Sequence, residues 1–236
     1  FDGDEMNMHG PQDEESQAEL LYLAAVPQQI ISPQNNKSIV GIFQDSLLGC
    51  ARFTRENIKF DARHAMNLLM YYDNVNPELF KNSKKQISSF EILSQILPPL
   101  SAKFKNGLYG ETEENNKTSN NIIEINNGEY KRGQLDKGSL GKGSTGLIHS
   151  IFNDYSFKDS ADFIDNIQSI VTEYMKLSAY SVGISDLIAD SNTNKKIIKA
   201  VNSKKKDVQN LIDNLHLGIF ENSTGKSNEV EFETRV

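Results

Sequence analysis

Residues 132–151 read R-G-Q-L-D-K-G-S-L-G-K-G-S-T-G-L-I-H-S-I, and what this stretch is taken for decides the fold. Its inner part, G-K-G-S-T-G at residues 141–146, fits G-x-G-x-x-G. A dinucleotide-binding turn would need a strand before it, a helix after it and an acidic residue about twenty positions on, a place open to Asp162 or Asp165. A phosphate loop of the G-x-x-x-x-G-K-[ST] kind is excluded, because Lys142 is followed by Gly143. Upstream, residues 122–125 and 130–135 read as strands joined by Asn126-Asn127-Gly128, and Asn-Gly is a strong hairpin signal because both residues tolerate positive φ.

The chain opens F-D-G-D-E-M-N-M-H. Asp2 and Asp4 flank one glycine, which lets the backbone fold back so that two short carboxylates converge. Hard oxygen donors at one point suit Mg²⁺, which seeks near-octahedral oxygen and keeps waters and substrate phosphates. An EF-hand is excluded, since Met6 stands at the third ligand position and no glycine follows it. His9 reads as a packing or hydrogen-bonding residue, because Mg²⁺ prefers oxygen.

The 236 residues carry a net charge of −7, so the chain as a whole holds no bulk attraction for nucleic acid. The single cysteine, Cys50, forbids an internal disulfide, points to a reducing intracellular setting, and lies in the apolar run L-L-G-C-A as a buried small hydrophobe. No apolar run approaches the roughly 20 residues that span a bilayer, and the reading includes no membrane partner.

Helical periodicity is expected over residues 13–26 (acidic first turn, stopped by Pro27), 44–53, 61–72, 88–97, 157–180 with a break near its start, and 192–217. Residues 38–43 alternate as a short strand, and 101–120 read as an exposed polar loop. The fold class is therefore α+β, mostly helical. Gln44 and Asp45 either cap a helix or line an active centre. Asp186 and Asp190 read as capping or turn residues, and Lys204, Lys205 and Lys206 as a solvated helix face. The tail 218–236 begins a further helix or stays disordered.

Four stretches, in order, resemble the largest subunit of multisubunit DNA-directed RNA polymerases. F-D-G-D-E-M-N is similar to its catalytic loop N-A-D-F-D-G-D-[EQ]-M-[NA], with Asp2 and Asp4 on the second and third aspartates and the first falling immediately before Phe1. S-P-Q-N-N-K (32–37) with I-F-Q-D-S-L-L-G (42–49), then D-K-G-S-L-G (136–141) with G-L-I-H (146–149), resemble the connection into the pore and the pore itself. S-V-G-I-S-D (181–186) resembles the passage into the funnel, with Ala179 where the family has glycine.

The resemblance implies a piece of a larger subunit: 1–36 ending the active-site domain, 37–185 the pore, 186–236 the start of the funnel. It implies template-directed RNA synthesis with Mg²⁺ held by Asp2 and Asp4 as catalytic residues. Lys137, Lys142, Gln44 and Asp45 would line the channel through which NTPs enter. The implied partners are the second-largest and other polymerase subunits, DNA template, RNA product and NTPs, and the fragment alone would be inactive. Motif wording and the Asn and Lys bias point to a eukaryotic or large-DNA-virus enzyme, working in the nucleus or in a cytoplasmic virus factory or virion. The alternative is a non-catalytic helical interaction module whose acidic turn is incidental.

Overall fold

The computed structural model describes residues 2–81, 86–107, 120–222 and 224–236, and the chain divides into two compact units, 1–179 and 180–236. It is mostly helical with short antiparallel strand pairs, an α+β fold. No helix among the described residues is long and apolar enough to cross a membrane.

The first unit is built around α7, Phe157–Ser178, which buries Phe163, Ile167, Ile170, Val171 and Tyr174 at helical spacing. It runs unbroken. The interruption lies before it, where α6, Leu147–Asp154, stops and Ser156 caps α7 by accepting the Asp159 N–H at 3.0 Å. Helix α2, Gln44–Phe53, packs on α7 through Gly49, Cys50 and Phe53. A Cβ on Gly49 would stand 3.0 Å from Met175 and 3.1 Å from Val171, so the two helices approach at their smallest residue. Phe53, Phe60 and Tyr174 stack edge and face with ring centroids 5.2–6.0 Å apart, joining α2 and α7 to strand β3, Lys59–Phe60, which pairs with β4, Ile87–Ser88.

Helix α1, Glu14–Tyr22, starts where Asp13 accepts the Ser16 N–H at 2.8 Å. It ends before the expected boundary, because Pro27 lies in a 3-10 turn, Val26–Gln29. Helix α3, Ala62–Leu68, is likewise shorter than its pattern. Its cap, Asp61, is held below the usual carboxylate range by the His64 backbone N–H it accepts. Helix α4, Ser89–Ile96, carries a full capping box between Ser88 and Glu91. Ile92, Leu93 and Ile96 of α4 are buried, and α4 packs against β7 of an antiparallel sheet ordered β5-β6-β7: Ala102–Lys105, Ile122–Asn126 and Glu129–Arg132. The hairpin turn is Asn127 and Gly128, at φ 47° and 78°. Four residues of the expected loop 101–120 depart from expectation: 102–105 pair with 122–125 because Phe104 and Ala102 turn inward between outward lysines. Residues 108–119 of that loop lie outside the described residues.

Burial pushes the Cys50 thiol up to about 12 from an ordinary value of 9.0. The folded chain keeps this proton between those two values while the unfolded chain loses it. The contribution to stability is therefore full below pH 9 and is lost as pH rises towards 12. At pH 8 the native chain is expected to leave a thiol reagent unreacted over a period in which the urea-unfolded chain reacts fully. Equal rates in the two states would refute the burial.

In the second unit, Asp186 of the one-turn helix α8, Ile184–Leu187, accepts the Gly183 N–H at 2.8 Å, and Asp190 caps α9, Ser191–His216, accepting the Thr193 N–H at 2.7 Å. Both aspartates thus take the capping role the sequence points to. Ile197, Ile198 and Val201 of α9 are exposed, whereas Leu211, Ile212 and Leu215 are half-buried. The tail forms a helix, α10, Asn228–Arg235, capped by Ser227. Glu231, buried on it, accepts from Arg235 Nε at 2.7 Å and from the Thr224 hydroxyl at 2.5 Å.

Candidate functional site

The acidic turn at the start of the chain is exposed along its described length, residues 2–9. Gly3 takes φ 84°, in the left-handed region, and the Asp4 N–H donates to Asp2 Oδ1 at 3.0 Å. A Cβ at Gly3 would meet nothing within 4 Å, so it is the backbone angle rather than crowding that calls for glycine here. Among the described residues no group of three or more His, Cys, Asp or Glu side chains is arranged to hold a metal ion. The donor set of the turn is two carboxylates one residue apart, hard oxygens of the kind Mg²⁺ takes.

The second group of sequence-derived residues is brought together across about 100 positions of chain. The short hairpin of β1, Ile31–Ser32, and β2, Lys37–Ser38, runs on by one bond, from the Ile39 N–H to Ile30 O at 2.8 Å. On its other side the segment runs beside residues 140–143: the Ser38 N–H donates to Gly143 O at 3.0 Å and the Ile42 N–H to Leu140 O at 2.9 Å. A Cβ on Gly41 would lie 2.9 Å from Gly141 C and 3.0 Å from Leu140 O, so the two backbones touch with no room for a side chain. Lys142 Nζ lies 5.3 Å from the centroid of the Phe43 ring.

Gln44, the first residue of α2, has φ 47°, an unusual place for a residue with a side chain. Neither Gln44 nor Asp45 caps the helix. The cap position is Phe43, which makes no side-chain capping bond. Gln44 and Asp45 instead line a cavity of about 380 Å³ with Gly41, Phe43, Ser46 and Gln168 of α7. Asp45 in the first turn of α2 is also favourably placed against the helix dipole.

Lys137 is exposed and is the first residue of a one-turn helix, α5, Lys137–Leu140. The turn is fixed by Asp136, which is 7% exposed. Its Oδ1 accepts the Ser139 N–H at 2.9 Å and its Oδ2 the Gly107 N–H at 2.8 Å. In return the Asp136 N–H donates to Ser139 Oγ at 2.8 Å. His149 Nε2 lies 3.1 Å from the Asn36 carbonyl oxygen, tying α6 to the β1–β2 turn, a structural role.

The G-x-G-x-x-G segment is no dinucleotide turn. The strand before it belongs to an antiparallel three-stranded sheet, and α5 intervenes between strand and glycines. Sequence reasoning passed over Phe43, Gly41, Gln168 and Asp136. The D-K dipeptide was a signal for Asp136, since an aspartate three residues before a serine is a capping pattern. Gln168 gives none, being one polar residue on a helix whose apolar stripe dominates its pattern.

Residues 29–187 match the family described as RNA polymerase Rpb1, domain 3. The chain belongs to that family, and is part of a largest subunit that works in transcription with other polymerase subunits.

Proposed function

We propose that this chain supplies two parts of a template-directed RNA polymerase: metal-holding aspartates at residues 2–4, and a wall of the pore through which NTPs reach them. The observation that supports the second part best is the backbone packing of residues 38–42 on 140–143, which joins the Q-D-S-L-L-G and D-K-G-S-L-G stretches in a single surface bearing Lys142, Gln44 and Asp45. Family membership weighs against a non-catalytic interaction module.

Asp2 and Asp4 would hold Mg²⁺, and the ion when bound lowers the pKa of the attacking hydroxyl and neutralises phosphate charge. The chain's own contribution is position and charge, as in phosphoryl transfer generally. The left-handed Gly3 brings Asp2 back onto the Asp4 backbone. The ammonium groups of Lys137 and Lys142 attract the triphosphate as it approaches. RNA product, DNA template and the second-largest subunit complete the centre from outside this chain, so the chain alone is proposed to be inactive.

In the assembled polymerase, Lys137→Ala is expected to raise the apparent KM for NTP about two- to fivefold, the size of one exposed charge contact, with kcat nearly unchanged. A fall in kcat at saturating NTP with KM unmoved would place Lys137 in the chemistry instead.

A further inference from the structure

We propose that Asp136 is the positioning residue for Lys137, an inference that rests on the reading of Lys137 as an NTP-channel residue. A carboxylate 7% exposed is costly unless something is gained by its charge. Both oxygens of Asp136 are spent on backbone N–H groups from different parts of the chain: Ser139, three residues on, and Gly107, twenty-nine residues back, two positions past the end of β5. Charge-assisted bonds of this kind are shorter and stronger than neutral ones. The carboxylate is admitted by Gly138, where a Cβ would stand 3.3 Å from Oδ2 and 3.5 Å from Oδ1.

Three further bonds close the same corner. Asn106 donates through Nδ2 to Gln134 O at 2.8 Å and to Asn120 O at 2.7 Å, and the Gln134 N–H donates to Asn120 O at 3.0 Å. The sheet end and the α5 turn are thus one fixed body. Lys137 is the first residue of that turn and is exposed on it, so its Cα–Cβ direction follows from where Asp136 holds Ser139 and Gly107. A long, flexible lysine side chain loses little reach but much aim if its Cα shifts. Asp136 touches neither substrate nor metal in this role. It acts through Lys137.

The test is a double-mutant cycle in the assembled polymerase, read as KM for NTP and kcat separately. Asp136→Asn is the variant of choice, because asparagine caps as well as aspartate and keeps an oxygen for the Ser139 N–H, while its amide nitrogen cannot accept from Gly107. It is expected to raise KM about twofold with kcat little changed. Combined with Lys137→Ala it is expected to leave KM where Lys137→Ala alone leaves it, because two residues acting through one contact are not additive. Ser139→Ala, which breaks the reciprocal half of the cap without touching the carboxylate, is expected to move KM in the same direction and to be silent in the Lys137→Ala background.

Additive effects in both cycles, or a loss confined to kcat, would make Asp136 a folding residue only and overturn the inference while leaving Lys137 in the channel. A wild-type KM for Lys137→Ala itself would remove the channel reading, and the positioning role with it.

Discussion

Asp2→Asn or Asp4→Asn in the complete subunit is expected to abolish RNA chain elongation while the polymerase still assembles. Removing an outer-sphere partner of a metal costs roughly 10–100-fold, and loss of a direct carboxylate ligand, which removes charge as well as an anchor, should exceed that. Assembly should survive because residues 2–9 are exposed and, among the described residues, Asp2 and Asp4 contribute only the local bond from the Asp4 N–H to Asp2 Oδ1. Gly3→Val is expected to do comparable damage by another route. Space around the Cβ is open, but a β-branched residue is strained at φ 84° and would swing the two carboxylates apart. Replacing Mg²⁺ by Fe²⁺ in the assembled enzyme and mapping oxidative cleavage gives a readout independent of synthesis. Cuts clustered at residues 2–4 support the assignment, whereas cuts at Asp186 and Asp190 would transfer the metal to the second unit.

The largest effect on stability is expected from Asp136→Ala. It strips the acceptor from the Ser139 N–H, which is buried, and from the Gly107 N–H, which lies at the surface and can turn to water. The lost cap, which leaves one buried donor unsatisfied, and one weakened contact together should cost about 1–3 kcal/mol. That is a large share of the 5–15 kcal/mol typical of a domain. A urea denaturation midpoint should fall clearly with the m-value unchanged. A midpoint within error of wild type would show that water replaces the carboxylate without penalty.

Much of the fold was legible because its signals are local. The Asn127-Gly128 turn and the one-sided stripe of α7 each act within a few residues of chain. What escaped depends on partners far away. Residues 38–43 alternate like a strand, yet past Ile39, which still bonds to Ile30, the Ile42 N–H finds its partner at Leu140 instead of in a neighbouring strand. Residues 102–105 look like a polar loop until 122–125 arrives to pair with them.

The site divides in the same way. Asp2, Asp4, Lys137 and Lys142 could be picked out as chemistry-bearing residues on a turn. Phe43 beneath Lys142, Gln168 from α7 and the carboxylate behind Lys137 became visible only with the packing.

The contact between Gly41 and Gly141 also has a timetable. The two residues are 100 positions apart; Ile39 bonds locally to Ile30, but the Ser38 and Ile42 N–H groups bond to Gly143 and Leu140. At a synthesis rate of roughly 5–20 residues per second, about 5–20 s pass on the ribosome between the emergence of one glycine and the other. Through that interval the Ser38 and Ile42 N–H groups stay in water and α2 has neither α7 nor the lysine turn to rest on. The nascent subunit thus passes through a stage in which α2 is made but not yet packed, and the surface proposed as a channel wall is the last part of this unit to close.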